Sequence, residues 1–378
     1  MHKPFHIVLT TISEPRVLYE YLDNMARFND PAMVKVWIVG DTSTPATTGT
    51  IAKELSEKGL ETVYLDMKAQ DAWGWDVCPD LYKRLPINNE TRRNIGYLKA
   101  LEDGCEVLIS IDDDNYPPST DFIKDHAVTG RPWQGPLISD PSGFVNPCEY
   151  LELSPARRVF PRGFPFKLRD MRNKPDTVMP GNIRIGVKTG LWTGAPDLDA
   201  VTWLNGTVES VAYRGEPTHV LSHETWIPLG TQNLSVCRDL VPACMCVPMG
   251  WEMPCGRLER YGDVWGGYFM QAIMRGTPYH AAFGLPLTEH RRNSHNPIED
   301  LRKEYWGMLL TDWLVDRLKN RFSPSGSSVT DRTVELSEFI IKEASAGLPG
   351  WCPSRMQSFI VWTGKNLRLW ADACTLFL

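Results

Sequence analysis

The feature of this sequence that most restricts its fold is an alternation of strand-like and helix-like patterns near the start of the chain. Five segments share it, three apolar runs and two stretches with apolar residues at helical spacing: 5–11, 15–27, 34–39, 48–58 and 61–65. We expect Ser13 to cap the first of the two helices. A strand–helix–strand–helix–strand series is typical of a parallel sheet with helices on its faces.

A fourth predicted strand carries the sharpest local signal. The apolar run 107–111 leads directly into Asp112, Asp113 and Asp114, which we call the acidic triplet, and Asp41 follows the second predicted strand. Ligands of open parallel sheets bind just beyond the carboxyl ends of the strands. We therefore expect two acidic sites at one edge of one sheet.

The rest of the chain shows looser patterns, and residues 66–90 are predicted to be irregular. The firmer predictions are strands at 185–192, 233–237 and 281–287 and helices at 90–103, 262–275, 297–321, 332–346 and 354–372. The predicted fold class is α/β, with a mixed, mainly parallel sheet flanked by helices and a helical appendage at the C-terminal end.

Composition and charge narrow the classes of partner. The 378 residues are 42% hydrophobic, and 40 basic against 46 acidic side chains give a net charge of −6, so general binding to nucleic acid or anionic lipid is not expected. No apolar run reaches the roughly 20 residues of a membrane span, and the start of the chain shows no signal-peptide pattern. Nine irregularly spaced cysteines lack the paired spacing of a zinc site. We expect a soluble, cytoplasmic protein with free thiols.

The acidic triplet is a candidate metal site. Adjacent carboxylates repel one another, so such a run after an apolar strand costs stability unless a cation offsets the charge. Oxygen ligands suit Mg²⁺ or Mn²⁺, usually with substrate phosphates completing the coordination shell. Strand alternation turns Asp112 and Asp114 to one face, where they can share an ion or a diphosphate, and Asp113 to the other. The alternative is a solvated acidic turn.

Four later segments resemble one family when taken in order with Ile111 to Asp114. They are Pro161 to Arg169, Gly190 to Trp192 with Pro196 to Ala200, Tyr261 to Gly266, and Gly284 to His290 with Asn296-Pro297 and Leu301 to Tyr305. Together they resemble the plant reversibly glycosylated polypeptides, also called UDP-arabinopyranose mutases, over roughly residues 105–308. The resemblance implies the GT-A glycosyltransferase fold and a UDP-sugar substrate. It also implies Mn²⁺ or Mg²⁺ at the triplet, His290 as a further metal ligand, and an essential Arg162.

Two departures from the family pattern affect the predicted reaction. The family carries sugar on an arginine seven residues before the position of Arg162, and here that position is Pro155, with Arg157 and Arg158 close by. The family also has two acids before the tryptophan of the Tyr261 segment, and here the first is Gly262. We therefore predict transfer to a separate acceptor rather than self-glycosylation or mutase activity.

Other candidate residues follow from the chemistry of sugar transfer. Arg162 and Arg169 could donate charge-assisted bonds to the diphosphate, and Asp41 and Arg93 could contact the base, ribose or phosphates. Trp192, Asp197 and Asp199 suit a sugar face and its hydroxyls. Asp263 is our candidate for the base that takes a proton from the acceptor hydroxyl. Their ordinary alternatives are surface ion pairs for the arginines and turn or helix caps for the aspartates.

Three functions remain open: a metal-dependent glycosyltransferase acting on a separate acceptor or on itself, a UDP-sugar mutase, and a non-catalytic nucleotide-sugar binding subunit. The predicted organisation is a nucleotide-sugar domain at 1–320, with a nucleotide half to 115, then a linker at 321–331 and the helical appendage at 332–378. We expect acceptor contacts from the loops 66–90 and 205–228. The appended helices could mediate homo-oligomer assembly.

Overall fold

The computed structural model describes residues 2–28, 31–171, 175–293 and 295–378. Its strands are β1 (Phe5–Thr10), β2 (Val34–Val39), β3 (Glu61–Leu65), β4 (Val107–Ile111), β5 (Asn115–Tyr116), β6 (Pro132–Trp133), β7 (Leu137–Ser139), β8 (Leu151–Ser154), β9 (Asp176–Val178), β10 (Ile183–Gly194), β11 (Glu209–Tyr213), β12 (Thr218–Leu221), β13 (Asn233–Cys237), β14 (Trp251–Met253), β15 (Gly256–Leu258) and β16 (Tyr279–His290). Its helices are α1 (Val17–Phe28), α2 (Thr47–Glu57), α3 (Met67–Val77), α4 (Pro79–Tyr82), α5 (Arg93–Glu102), α6 (Phe122–His126), α7 (Ala200–Leu204), α8 (Gly262–Met274), α9 (Pro297–Asn320), α10 (Val329–Ala346) and α11 (Ser354–Thr375).

The first half of the main sheet is parallel. Its strands run in the order β3-β2-β1-β4, and Ile7 of β1 pairs with Val36 of β2 and with Ile109 of β4. All five residues of β4 are buried, as expected for a parallel strand covered on both faces. The four strands predicted in this region and the helices between the first three are confirmed.

The second half of the main sheet is mixed. β13 lies antiparallel to both β4 and β10, β10 runs parallel to β16, and β12 and β7 continue the sheet to the edge strand β9. The predicted strands at 185–192, 233–237 and 281–287 lie within β10, β13 and β16. The predicted fold class, a mixed, largely parallel sheet with flanking helices and a C-terminal helical region, is confirmed.

Two local predictions are wrong. Residues 66–90 contain α3 and α4 because the Asp66 side chain caps α3 at the Ala69 N–H (2.7 Å), and buried Gln70 donates to the carbonyls of Gly40 and Leu65. The tryptophans and prolines of this stretch obscure the spacing of apolar residues from which a helix would be predicted. Ser13 does not cap α1, which begins only at Val17. The Ser13 N–H instead donates to the Thr11 hydroxyl (2.9 Å).

The C-terminal helices pack on the rest of the chain. Ser328 and Asp331 form a capping box at the start of α10, which therefore begins inside the stretch predicted as linker. Phe359 of α11 contacts Trp251 and Trp265 and belongs to the same buried apolar cluster as α8. Within the described part of the chain, we find no helix with the length and apolar character that a membrane crossing needs.

Candidate functional site

The acidic triplet follows β4, and its three side chains turn toward different partners. Asp112 Oδ1 accepts from Arg93 Nη2 (2.7 Å), and Asp113 Oδ2 accepts from the hydroxyl of Thr11 (2.5 Å) just after β1. Asp114 faces His290, with Oδ2 3.4 Å from Nε2. The three carboxylates of the triplet therefore contact different residues, and each belongs to a separate part of the site.

Arg93 is a buried side chain that binds Asp112. Its side chain is 3% exposed, and its donors reach Thr10, Ser110, Asp112 and the carbonyls of Glu90 and Thr231. These five acceptors match the five N–H groups of a guanidinium. Arg93 thus fixes the position of Asp112, and its donors are directed at the protein.

His290 reaches the triplet because of strand pairing. It ends β16, whose last residues pair antiparallel with β5, so that His290 lies opposite Asn115. Parallel pairing with β10 also places Gly194 beside His290, whose Nδ1 lies 2.6 Å from the carbonyl oxygen of Ala195. Nδ1–H donates to that carbonyl, which turns Nε2 toward Asp114.

The Asp114–His290 pair has the features of a metal-binding half-site. Burial opposes charge on both groups, but their mutual attraction prevails, lowering the pKa of Asp114 and raising that of His290. A ligating histidine commonly donates its other ring N–H to a backbone carbonyl, as here. With Asp114 Oδ2 and His290 Nε2 3.4 Å apart, the two side chains could both bind one divalent ion.

The predicted set of Asp112, Asp114 and His290 is not assembled as a complete ion site. Over residues 2–28, 31–171, 175–293 and 295–378, no three His, Cys, Asp or Glu side chains are grouped closely enough to hold a metal. Asp112 is instead engaged by Arg93. Mg²⁺-type ions are often held by one or two protein ligands, with phosphates and water supplying the others. The pair at residues 114 and 290 fits that pattern.

A cavity of about 270 Å³ opens beside the triplet, at the ends of β1 and β2. Its lining includes Thr11, Ile12, Asp41, Asn89 and Asp113. Asp41 accepts from the backbone N–H groups of Thr42 (2.7 Å) and Asn89 (3.3 Å). Burial, together with the other two triplet carboxylates, raises the pKa of Asp113 to about 6 against the opposing Thr11 bond.

A second group of charges lies around Arg162, which is 7% exposed. Its guanidinium donates to both oxygens of Asp197 (3.1 and 2.9 Å) and both oxygens of Asp263 (3.0 and 2.9 Å), and also to the Arg260 carbonyl. We call Arg162, Asp197 and Asp263 the arginine–diaspartate cluster. Two carboxylates on one guanidinium leave a net negative charge, which suits the hydroxyl donors of a sugar.

Backbone geometry brings this cluster together and leaves one side open. The Arg162 N–H donates to the Asp197 carbonyl (2.9 Å), and Asp263 lies in the first turn of α8. A Cβ placed on Gly230 would lie 3.3 Å from Asp263 Oδ2 and 3.7 Å from Asp197 Oδ2. Both oxygens therefore border the space above Gly230. Burial opposes ionisation of Asp263, but Arg162 holds its pKa below the usual range.

Three other predicted residues lie outside this cluster. Asp199 is fully buried, caps α7 at the Thr202 N–H (2.8 Å) and pairs with Arg169. Trp192 is 7% exposed and donates to the Gln232 side chain (3.0 Å). Their predicted contacts with substrate stay predictions, and the structure gives each of them a partner within the protein.

The two departures from the family pattern have structural counterparts. A Cβ at Gly262 would lie 2.3 Å from the Val247 carbonyl oxygen, so a larger residue there requires the backbone to move. Near Pro155, the Arg157 guanidinium donates to the carbonyls of Asn205 and Gly206, and that of Arg158 to Glu149 and the carbonyls of Arg169 and Met171. Both guanidinium groups are therefore bound by the protein, although the Nε of Arg157 has no partner among the described residues.

Sequence reasoning missed several residues of the site. Thr11 was hidden at the end of a strand, and Gly230 has no side chain to signal its position. Glu90 lines the cavity beside Asp41, but appeared only as the start of a predicted helix. These residues are recognised only in the three-dimensional structure, because each lies beside site residues that are distant from it in the sequence.

Comparisons with known proteins connect this chain to one family. The family model for reversibly glycosylated polypeptide matches residues 154–364. UDP-arabinopyranose mutase 2 of Arabidopsis thaliana is 29% identical over 205 residues, 54% of this chain and 52% of that protein. UDP-arabinopyranose mutase 3 of the same plant is 33% identical over 183 residues, 48% of this chain and 46% of that protein. The matched region spans about half the length of these curated relatives.

Among solved structures, glucosyl-3-phosphoglycerate synthase from Mycobacterium tuberculosis, in complex with Mn²⁺ and UDP-glucose, aligns with a TM-score of 0.40 at 12% identity. The alignment covers 82% of this chain and 79% of that one. A mannosyltransferase from Pyrobaculum calidifontis, in complex with GDP-Man and Mn²⁺, aligns with a TM-score of 0.36 at 11% identity. It covers 100% of this chain and 75% of that one.

Proposed function

Because this chain belongs to the reversibly glycosylated polypeptide family, we propose that it is an enzyme that breaks and remakes the bond between the anomeric carbon and the diphosphate of a UDP-sugar. One observation carries the proposal. Arg162, Asp197, Asp263 and His290, all from the segment that matches the family, lie at the same sheet edge as the acidic triplet, which lies outside that segment.

Each part of the site has a role in this proposal. The nucleoside occupies the cavity lined by Asp41 and Asp113, and the sugar hydroxyls donate to Asp197 and Asp263 above Gly230. Residues 1–115 thus supply most nucleotide contacts and residues 116–320 most sugar contacts. Arg162 holds the two sugar-binding carboxylates in one orientation, and Arg93 does the same for Asp112.

Asp114 and His290 would hold a divalent ion, Mn²⁺ or Mg²⁺, together with phosphate oxygens of the substrate. Such an ion, when bound, stabilises the negative charge that develops on the departing diphosphate. The chain's own contribution is orientation. The Ala195 carbonyl fixes the His290 ring, and Asn293 donates to Asp114 Oδ2 (3.3 Å).

Between the open reactions, the mutase is supported best, because the curated relatives are UDP-arabinopyranose mutases. In that reaction the sugar returns to UDP in its other ring form. Transfer to a separate acceptor is the second candidate. It is favoured by Pro155 at the family's sugar-carrying position and by the occupied guanidinium groups of Arg157 and Arg158.

The test is incubation of the purified chain with UDP-arabinopyranose and Mn²⁺, with nucleotides and sugars separated by chromatography. UDP-arabinofuranose supports the mutase, and UDP release with a new glycoside supports the transferase. Binding without any turnover contradicts both. We expect the double variant D112N/D114N to lose nucleotide-sugar affinity and turnover, whereas D316N/D372N, with the same charge change at exposed sites, behaves like the wild type. Unchanged affinity and turnover in D112N/D114N would refute the metal-assisted site.

A further inference from the structure

The loop before α5 places an amide side chain, that of Asn88, in the lining of the cavity beside Asp41. The Asn88 backbone is left-handed, with φ 52°, a conformation that asparagine adopts more easily than most residues. The next residue, Asn89, donates its N–H to Asp41 Oδ2 (3.3 Å), which ties this loop to the end of β2. The Asn88 side chain is thereby kept at the cavity, where the proposed function leaves it unused.

Two hydroxyl groups fix the orientation of the Asn88 amide. The hydroxyls of Thr42 (2.7 Å) and Ser43 (3.0 Å) both donate to Asn88 Oδ1. An amide oxygen has two lone pairs, so both are occupied. The Nδ2 group carries two N–H donors and has no partner within the described part of the chain. The part of the amide that is available to a ligand is therefore a donor.

Asp41 supplies the opposite chemistry beside this donor. Its Oδ1 accepts from the Thr42 N–H (2.7 Å), so Thr42 binds Asp41 through its backbone and Asn88 through its hydroxyl. Each Asp41 oxygen accepts one backbone N–H and keeps a lone pair for a ligand. One residue thus holds a donor and an acceptor next to each other in the lining of one cavity.

Two other polar side chains of the lining are directed at the protein instead. Arg92 Nε donates to Gln70 Oε1 (2.9 Å), and Asn89 Oδ1 accepts from the N–H (3.0 Å) and the hydroxyl (2.7 Å) of Thr91. These contacts orient Arg92 and Asn89 toward α3 and the start of α5. They leave Asn88 as the donor that is fixed beside the Asp41 carboxylate.

We propose, on the basis of the proposed function, that Asn88 selects uracil by donating from Nδ2 to O4 of the base, while Asp41 accepts from N3–H. Uracil presents an acceptor at O4 beside a donor at N3, which matches this pair. Cytosine presents an amino donor and a ring acceptor at the same places, so donor would meet donor and acceptor would meet acceptor. Ile12, which is 62% exposed in the same lining, offers an apolar side chain to the face of the base.

The test measures the affinities for UDP and CDP, each with Mn²⁺, by calorimetry. The wild type should bind UDP about 10- to 100-fold more tightly than CDP, the usual discrimination by a pair of matched hydrogen bonds. N88D keeps a residue suited to the left-handed backbone and keeps the acceptor for both hydroxyls, but it replaces the donor with a second acceptor. Its preference for UDP over CDP should be lost or reversed.

The ratio of the two affinities is the quantity to compare, because the added charge of N88D weakens both nucleotides alike. N182D makes the same charge change at an exposed residue before β10, at the opposite end of that strand from Gly194, and should keep the wild-type ratio. T42V/S43A removes the hydroxyls that orient the Asn88 amide, and its ratio should fall about 3- to 10-fold, as expected for the loss of one hydrogen bond. Thermal melting reports whether each variant is folded.

Two results would overturn the inference. One is an N88D variant that is folded and has the wild-type ratio of UDP to CDP affinity. The other is a wild-type chain that binds CDP as tightly as UDP. A wild-type chain that prefers UDP but acts on no UDP-sugar contradicts the proposed reaction alone, and one that binds neither nucleotide contradicts both.

Discussion

At the scale of single residues, Gly230 decides whether the proposed sugar pocket stays open. The residue touches no charge itself, but its missing side chain leaves the space that Asp197 Oδ2 and Asp263 Oδ2 face. An added methyl group would displace a sugar hydroxyl from that space. A binding site can thus depend on an absent side chain as much as on the charged groups around it.

We predict that G230A abolishes most turnover while the protein stays folded. The methyl group lies 3.3 Å from Asp263 Oδ2, a contact that small shifts can absorb, so the free energy of unfolding should change by less than about 1.5 kcal/mol. UDP affinity should remain, because the nucleoside cavity is untouched. Thermal melting, UDP titration and turnover measure the three effects. G181A, where the new Cβ meets no atom within 4 Å, is the control. Normal turnover by G230A would contradict the assigned sugar position.

Arg162 pairs with two carboxylates that are each 11% exposed, so its removal leaves their mutual repulsion uncompensated. We predict that R162M lowers the free energy of unfolding by about 3–5 kcal/mol, the usual cost of leaving buried charge unpaired. The triple variant R162M/D197N/D263N should regain much of that stability without regaining turnover. Urea denaturation measures both. Equal stability of R162M and the wild type would show that the cluster is solvated.

At the scale of elements, α8 shows why this chain departs from its family at residue 262. The helix approaches the segment 245–249 so closely that a Cβ on Gly262 or Gly266 would lie 2.3 Å from a backbone carbonyl oxygen. The Gly262 carbonyl in turn accepts from the Val247 N–H (3.0 Å). The close approach places Asp263, one residue later, against Arg162.

We predict that G262E, which introduces an acid at the position where the family has one, destabilises this chain. The side chain has to displace α8 or the Val247 carbonyl, an overpacking that typically costs about 1–3 kcal/mol and occasionally more. G262A should cost less but act in the same direction. Guanidinium unfolding of both variants measures the effect. If G262E is as stable as the wild type, this segment is free to move and the departure needs another explanation.

The helices and strands also show how much of the fold could be predicted from the sequence. Strands such as β4 and β13 were predicted to within a residue, because uninterrupted apolar runs leave a buried strand as the simplest interpretation. α3 was missed because its stability comes from an aspartate cap and from Gln70 bonds to distant carbonyls, which no local pattern shows. Charged residues of the site such as Arg162 and Asp263 could be predicted from the sequence. Their contact with each other could not, because it depends on how α8 packs.

At the scale of the whole molecule, two buried histidines link stability to pH. The His126 Nε2–H donates to the Asn233 side-chain oxygen (2.9 Å), and His6 Nδ1 accepts from Trp37 Nε1 (3.1 Å). Burial lowers the pKa of His126 to about 3, and Lys188 adds to the shift. Burial also lowers the pKa of His6 to about 4, against the opposing attraction of Asp103. Both rings are therefore neutral in the folded protein at pH 7.

The unfolded chain takes up these protons near pH 6.5, whereas the folded chain resists them until about pH 4 and pH 3. Stability is then complete above pH 6.5 and falls as the pH drops below it, by about 1.4 kcal/mol per pH unit for each histidine. Urea unfolding between pH 7 and pH 5.5 covers the onset of this effect. His280, whose pKa burial lowers to about 4, adds to it, and Asp113, whose pKa is about 6, opposes it, so the share of His126 is read from the difference between variants. H126Q, whose side-chain amide can still bond Asn233, should reduce the slope of unfolding free energy against pH by the contribution of one proton. The control H2Q, at an exposed histidine, should leave that slope unchanged. An unchanged slope in H126Q would mean that His126 is protonated in the folded state, and that solvent reaches the inner side of α6.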